Sequence, residues 1–138
     1  MGADLYNLKM EAEIEKEFPW DHKDYNHPNF SKRYRVLEER GGYYRDAYNN
    51  SNLMWLIGFS YWKSPETLGW RFRKDGRLSV KGTKQFLAYL EENDGELRNK
   101  ITALGDPEER EFFYKKIDRL KFFLQKCIEM GSAVCWSV

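Results

Sequence analysis

The sequence predicts a single, mainly helical α+β domain over residues 1–138, in which the N- and C-terminal strands pair in a small sheet. Three observations support this prediction. The length of 138 residues matches one ordinary domain. A long amphipathic pattern in the last third of the chain indicates a helix, and a weak alternation at both chain ends indicates two short strands. Aromatic residues make up 17% of the chain and supply material for a core.

The N-terminal region reads as a strand, a loop and a short helix. The first ten residues, MGADLYNLKM, alternate weakly between apolar and polar positions, which indicates a strand. Residues 11–28 are polar and contain Pro19 and Pro28, so we expect a charged linker or loop. A helix is predicted over residues 31–40, because Ser31 is an acceptable N-cap and Gly41-Gly42 is a strong stop signal.

The central segment GGYYRDAYNNSNLMWLIGFSYWK, residues 41–63, is rich in aromatic residues at helical spacing. The stripe consists of Tyr44, Tyr48, Ser51, Trp55, Gly58 and Trp62. Residues 53–59 would be apolar on nearly all sides of a helix, which predicts a buried central helix. Residues 68–78 fit either a short hairpin arm or an irregular loop, and Ser79 is the candidate N-cap of a helix over residues 80–93.

The C-terminal helix has the clearest local signals. Asp106 is a suitable N-cap, Pro107 suits the first helical position, and Gly131 provides the stop. Apolar side chains recur at spacings of four and three between these ends: Phe113, Ile117, Leu120, Leu124 and Cys127. The closing residues AVCWSV predict a strand, and its natural partner is the N-terminal strand.

Charge and hydropathy narrow the class of protein. The net charge of +1 argues against a dedicated nucleic-acid-binding protein, although residues 41–90 sum to +5. The longest apolar run, LMWLIGF, is much shorter than the roughly 20 residues that a membrane-spanning helix needs. The N-terminus has no secretory signal pattern and the chain has two cysteines. We therefore expect a soluble, cytoplasmic protein that does not associate with membranes.

The sequence predicts no metal site, no cofactor and no catalytic residue. His22 and His27 lie in DHKDYNHP among carboxylates, but their spacing matches no metal-ligand pattern, which favours a solvated loop. Cys127 lies on the apolar stripe and reads as a small core residue, whereas Cys135 is ambiguous. Glu11, Glu13, Glu15 and Glu17 occur at every second position, which is typical of a solvated edge.

A basic segment is the first candidate binding site. Its cations are Arg71, Arg73, Lys74, Arg77, Lys81 and Lys84, with Trp70 and Phe72 interleaved. Cations that pair with phosphates and aromatic rings that stack on bases are typical of nucleic-acid binding. The alternative is an amphipathic hairpin whose aromatic rings face the core and whose cations face water, and alternation favours it.

A polar cluster in the central segment is the second candidate, as a ligand-binding site. It comprises Tyr44, Arg45, Asp46, Tyr48, Asn49 and Trp62. Mixed aromatic and hydrogen-bonding walls are typical of ligand pockets. The competing interpretation is structural: Arg45 and Asp46 form ion pairs with neighbouring elements, and the tyrosine rings are part of the core.

Three stretches, MGADLY, YYRDAYNNSNLMWLIGFSYWK and FLQKCIEMGSAVCWSV, together resemble a loose group of small uncharacterised bacterial and phage proteins. Members begin Met-Gly-Ala-Asp-Ile-Tyr and carry Tyr-Phe-Arg-Asp-Ser-Tyr-Asn, followed by Gly-Leu-Ser-Trp-Trp. This chain differs by Tyr44 for Phe, Ala47 for Ser and Tyr61 for Trp. The resemblance implies a bacterial or phage origin and brings no catalytic residues with it.

Three function hypotheses follow. The first is a non-enzymatic accessory or interaction protein that binds another protein, and it depends on the absence of a nucleophile, metal cluster or phosphate loop in the sequence. The second is a small nucleic-acid-binding protein that uses the basic segment 71–84. The third is an enzyme with a site around Arg45 and Asp46.

Overall fold

The computed structural model describes residues 3–47, 52–56 and 77–137. Within them the strands are β1 (Ala3–Asn7), β2 (Tyr43–Asp46), β3 (Arg77–Leu78) and β4 (Val134–Ser137). The helices are α1 (Leu8–Glu17), α2 (Asn29–Glu39), α3 (Leu53–Leu56), α4 (Val80–Glu92), α5 (Asp94–Thr102) and α6 (Pro107–Met130). The chain therefore has the predicted mainly helical α+β fold.

The sheet pairs the two ends of the chain, as predicted. Its strand order is β2-β1-β4-β3, and all three pairings are antiparallel. In the pairing of β1 with β4, Tyr6 lies opposite Cys135. Beside β1, the Asn7 amide donates to the Gly42 carbonyl and the next amide, Leu8, donates to Ala133. Strand β1 is thus held on both sides.

Helices α4 and α6 begin and end where their local signals predict. Ser79 accepts a hydrogen bond from the Gly82 amide at the start of α4. Asp106 accepts from the Glu108 amide at the start of α6, and Gly131 ends α6 in the left-handed conformation with φ of 61°. Cys127 is fully buried in the core, and burial raises the pKa of its thiol to about 12.

The loop predicted over residues 11–28 is wrong for its first seven residues, which belong to α1. Asn7 caps this helix by accepting a hydrogen bond from the Met10 amide. Met10 and Ile14, four residues apart, are buried, so the alternating glutamates lie on a helix and not on an extended edge. Two apolar side chains in a ten-residue polar segment are too weak a signal to predict a helix from the sequence. Helix α2 begins at Asn29, so Ser31 lies inside it and is not its N-cap.

The helical stripe predicted to begin at Tyr44 is also wrong at its start, because Tyr43–Asp46 forms β2. Pairing with β1 overrides the helical spacing there, since it provides backbone hydrogen bonds and burial together. Within the predicted buried helix 53–59, the described residues 53–56 form helix α3, and Leu53 and Met54 are fully buried. The predictions for residues 48–51 and 57–76 lie outside the described residues.

The buried side chains of the described residues form two hydrophobic clusters, one on each face of the sheet. The larger cluster joins α4, α5 and α6 to the inward side chains of the strands, among them Leu5, Tyr44 and Val134. The smaller cluster consists of Met10, Ile14 and Leu37, with Tyr6 and Tyr43 packed against it. Helices α1 and α2 therefore cover part of the second face of the sheet. None of the described helices is long and apolar enough to span a membrane.

Candidate functional site: a cationic groove beside β2

Strand β2 sends the side chains of the predicted polar cluster in two directions. Tyr44 is 3% exposed and Asp46 is fully buried, whereas Tyr43 is half-buried and Arg45 is exposed. This follows from the two-residue period of a strand, in which neighbouring side chains point to opposite faces. Arg45 and Asp46 therefore do not share one site.

Asp46 organises the interior next to β2. Its Oδ1 accepts hydrogen bonds from the amides of Ala47 at 3.0 Å and Leu53 at 2.8 Å, and its Oδ2 accepts from the Met54 amide at 3.2 Å. The same Oδ1 lies 2.8 Å from the ammonium nitrogen of Lys116. The carboxylate thus satisfies the first amides of α3 and joins that helix to β2 and α6.

Lys116 connects the buried interior to the surface. The residue is 6% exposed, and its ammonium group lies 5.1 Å from the centre of the Phe112 ring. A buried ammonium requires a partner, which Asp46 provides. Lys116 also lines a groove between β2 and α6.

The groove has a volume of about 210 Å³. Its walls are formed by Glu38, Gly41, Tyr43, Tyr44, Arg45, Lys116, Arg119 and Phe122. Gly41, with φ of 78°, makes the turn from α2 into β2, and a Cβ at this position would overlap the Phe122 ring. The close approach of this ring to the Gly41 backbone therefore depends on glycine.

Positive charge dominates the groove. Arg45 has a side chain 59% exposed and its Nε lies 3.7 Å from Asp4, which is a loose contact. Arg119 is exposed and forms no ion pair with any residue that the structure describes. Glu38 is the acidic residue of the wall, and Phe122 is 50% exposed. The groove thus combines cations with aromatic surface.

The neighbouring cations of α6 are already neutralised. Lys115 lies 3.7 Å from Glu111, and Lys126 lies 3.6 Å from Glu129. Among the described residues of α6, Lys115 and Lys126 therefore add less positive charge to the surface beside the groove than Arg119 does.

The remaining predicted site residues lie elsewhere or outside the described residues. Six of them lie outside the described residues: Tyr48, Asn49, Trp62, Arg71, Arg73 and Lys74. Arg77, Lys81 and Lys84 are exposed, on β3 and α4. Arg77 lies on β3, at the edge of the described sheet opposite β2, and none of these three cations lines the groove.

The histidine-containing loop has local structural contacts. The His22 ring packs 4.6 Å from the Trp20 ring, and Nδ1 of His27 accepts a hydrogen bond from the Asn29 amide. Within residues 3–47, 52–56 and 77–137, no group of three or more His, Cys, Asp or Glu side chains is placed to hold a metal ion.

Sequence reasoning missed Lys116, Arg119, Glu38 and Phe122. One signal was available, because Lys116 lies three residues after Phe113 and four before Leu120, on the apolar stripe of α6. A cation on a buried stripe requires a buried counter-ion. No sequence pattern connects Arg119 to Arg45, which only the packing of α6 beside β2 brings to one groove.

The fold and the groove define a class: a small α+β domain with a helix-backed antiparallel sheet and a cationic groove at one sheet edge. The chain matches no protein-family model, no curated protein and no solved structure.

Proposed function

We propose that this protein is a non-enzymatic interaction protein that binds an acidic segment of another protein in the groove between β2 and α6. The observation that carries the proposal is the convergence of Arg45, Lys116 and Arg119 beside the exposed Phe122 ring. Arginine and aromatic residues are enriched in protein–protein interfaces and supply much of their binding energy.

The extent of the positive charge favours a peptide over a nucleic acid. Lys116 is neutralised by Asp46, and Glu38 offsets part of the charge of Arg45 and Arg119. A polynucleotide requires a row of unpaired cations along its backbone. The groove instead suits one or two carboxylates beside an apolar side chain that packs on Phe122.

The burial of Asp46 supports a binding function over an enzymatic one. A general base must reach a proton on its substrate, but Asp46 is fully buried with three backbone amides and Lys116 around it. An enzyme centred on Arg45 and Asp46 would therefore need a general base other than the Asp46 carboxylate.

Selection from a random peptide library on the immobilised protein tests the proposal. We expect the enriched peptides to combine Asp or Glu with an aromatic or branched aliphatic residue. Their affinity, measured by fluorescence anisotropy, should fall at least about tenfold in Arg119→Glu, since the variant places like charges opposite each other.

Lys84→Glu is the matched control, because it makes the same change in net charge at an exposed residue of α4 that does not line the groove. Equal affinities of the selected peptides for wild type and Arg119→Glu would overturn the proposal, as would enrichment of basic peptides.

The second candidate function, nucleic-acid binding, is favoured by the exposure of Arg77, Lys81 and Lys84. It predicts that a single-stranded oligonucleotide binds with an affinity that falls steeply with salt. Lys81→Glu combined with Lys84→Glu should then abolish binding, while Arg119→Glu should preserve it. Salt-independent or absent oligonucleotide binding removes this candidate.

The proposed setting is the cytoplasm of a bacterium, or of a bacterium infected by a phage, and the proposed binding function requires no cofactor. The resemblance to small bacterial and phage proteins supports this setting.

A further inference from the structure

A second cavity lies on the other face of the sheet, between the strands and helices α1 and α2. Its volume is about 210 Å³. Tyr6 of β1 and Cys135 of β4 line it from the sheet, and Ile14 and Leu37 line it from the helices. Ile14 is 2% and Leu37 3% exposed, so these side chains form a dry apolar floor. A cavity of about 150 Å³ already holds a benzene ring, so this one has room for a branched or ring-bearing side chain with a small polar head.

Two groups of opposite charge lie at the rim of this cavity. Arg33 of α2 has a side chain 14% exposed, and its Nη2 lies 2.6 Å from Glu15. The Nε–H of Arg33 is buried and has no acceptor in the part of the chain that the structure describes. A buried donor without an acceptor is unfavourable, so a ligand oxygen that reached it after a small turn of the guanidinium would be stabilising.

Glu11 of α1 provides the complementary group. It lines the cavity, and burial together with the neighbouring Glu15 raises the pKa of its carboxyl group, while Arg33 opposes this shift. A cation placed against Glu11 would relieve its repulsion from Glu15 and replace the water lost on burial. Tyr6 adds a hydroxyl that remains protonated, since burial first and Asp4 second raise its pKa to about 12.

We propose that this cavity binds a small zwitterion with an apolar body, of which a free apolar α-amino acid is the simplest example. The ammonium group binds Glu11, the carboxylate binds Arg33 with help from the Tyr6 hydroxyl, and the side chain packs on Ile14 and Leu37. Glu11, Glu15 and Arg33 together carry one net negative charge, which disfavours a simple anion, whereas a zwitterion brings an ammonium group for Glu11 and an acceptor for the Nε–H of Arg33. This inference is independent of the groove beside β2.

Calorimetric titration of the full chain with L-leucine and L-phenylalanine tests the proposal. Both should bind, and isoamylamine and isovalerate, which each keep one charged group of leucine, should bind at least about tenfold more weakly. Absence of binding by both amino acids at millimolar concentration would overturn the proposal. Binding of either single-charge analogue as tightly as leucine would overturn the zwitterion assignment.

Glu11→Gln should weaken leucine binding at least about tenfold, because a neutral amide loses the charge-assisted hydrogen bond. The folded state should tolerate this change, since burial already disfavours the charged form of Glu11. Glu13→Gln, an exposed glutamate two residues along α1, is the matched control and should bind like wild type. Unchanged affinity in Glu11→Gln would show that leucine binds elsewhere and sink the assignment.

Discussion

The side chain of Asp46 has two possible roles in the sequence, ligand binding or structural support. In the sequence it stands next to Arg45 in a polar cluster, where either a ligand site or an internal brace is reasonable. In the structure its carboxylate accepts hydrogen bonds from three backbone amides and pairs with Lys116. Arg45, on the opposite face of β2, lines the groove. The two neighbours thus have different environments, and the strand period separates them.

The Asp46–Lys116 pair predicts an asymmetric response to mutation. Asp46→Asn should lower the free energy of unfolding by about 3–5 kcal/mol, because it removes the carboxylate that pairs with the buried ammonium of Lys116. Lys116→Met should lower the free energy of unfolding by less than Asp46→Asn does, because Asp46 keeps its three amide donors. The free energy of unfolding of the double variant should be higher than the sum of the two single effects implies, because this variant buries neither charge of the pair.

Urea denaturation measures these three differences. Arg45→Ala, on the exposed face of the same strand, is the control and should change the free energy of unfolding by no more than about 0.5 kcal/mol. If Asp46→Asn left the free energy of unfolding unchanged, this result would contradict a stabilising role for the pair.

At the scale of elements, α5 is, like α1, a helix that the sequence did not predict, and its attachment to α6 is electrostatic as well as apolar. Leu97 and Ile101 enter the core. Asp94, in the first turn of α5, accepts from Arg98 within its own helix and from Lys121 of α6. Arg98 in turn donates to Asp118 of α6 at 2.7 Å. These four side chains form a network that joins the two helices.

The network makes the stability of the α5–α6 contact depend on pH. The hydrogen bond from Lys121, followed by the hydrogen bond from Arg98, lowers the pKa of Asp94 below its ordinary value of 3.8, against the opposing effect of burial. A carboxyl group with a lowered folded-state pKa stabilises the protein above its unfolded pKa and loses that contribution as the pH falls through the folded value.

Asp94→Asn should therefore lower the free energy of unfolding by about 1 kcal/mol at neutral pH, a modest amount because the site is partly exposed. The difference from wild type should vanish as the pH falls below 3.8 and Asp94 becomes protonated in the wild type. Urea denaturation of both proteins at a series of pH values measures this difference in the free energy of unfolding. Glu96→Gln, an exposed acid in the same turn, is the control, and a difference that persists in acid would contradict the electrostatic origin.

At the scale of the whole molecule, the central position of β1 couples both ends of the chain to the core. Strand β1 pairs with β2 on one side and with β4 on the other, and the amides of Asn7 and Leu8 donate to the carbonyls of Gly42 and Ala133 beside these pairings. Leu5 is fully buried against the large cluster, to which α6 also contributes. An N-terminal strand in this position cannot detach without breaking two pairings.

Native-state hydrogen exchange should consequently show β1 amides protected to nearly the same free energy as those of α6. The α2 amides should exchange earlier, because this helix buries only Leu37 fully and packs on the small cluster. Exchange of the β1 amides as early as those of α2 would show that the N-terminal strand frays independently of the core.

Local signals explain which parts of the fold could be predicted. Helices α4 and α6 each carry a side-chain cap and an apolar stripe within one segment, so their ends followed from the sequence. The pairing of the chain ends followed from two alternating segments and the tendency of strands to pair. Helix α1 was missed because only Met10 and Ile14 mark its buried face, among four glutamates.

The residues of the candidate sites divide into those that the sequence identified and those that only the tertiary structure brought together. The sequence by itself identified Tyr44 and Arg45 as candidate binding residues and placed Cys127 in the core. Only the tertiary structure put Lys116 against Asp46, brought Arg119 and Phe122 to the same groove as Arg45, and enclosed Glu11 and Arg33 beside one cavity.

The physical reason lies in the range of the interactions. Caps and stripes act over a few residues and are written along the chain, so sequence alone determined the long helices and the terminal strands. The pairing of β2 with β1 and of Asp46 with Lys116 joins residues far apart in the chain, and their free energies exist only after packing has removed water from both partners. The tertiary structure therefore decided that residues 43–46 form a strand and where the grooves and cavities lie.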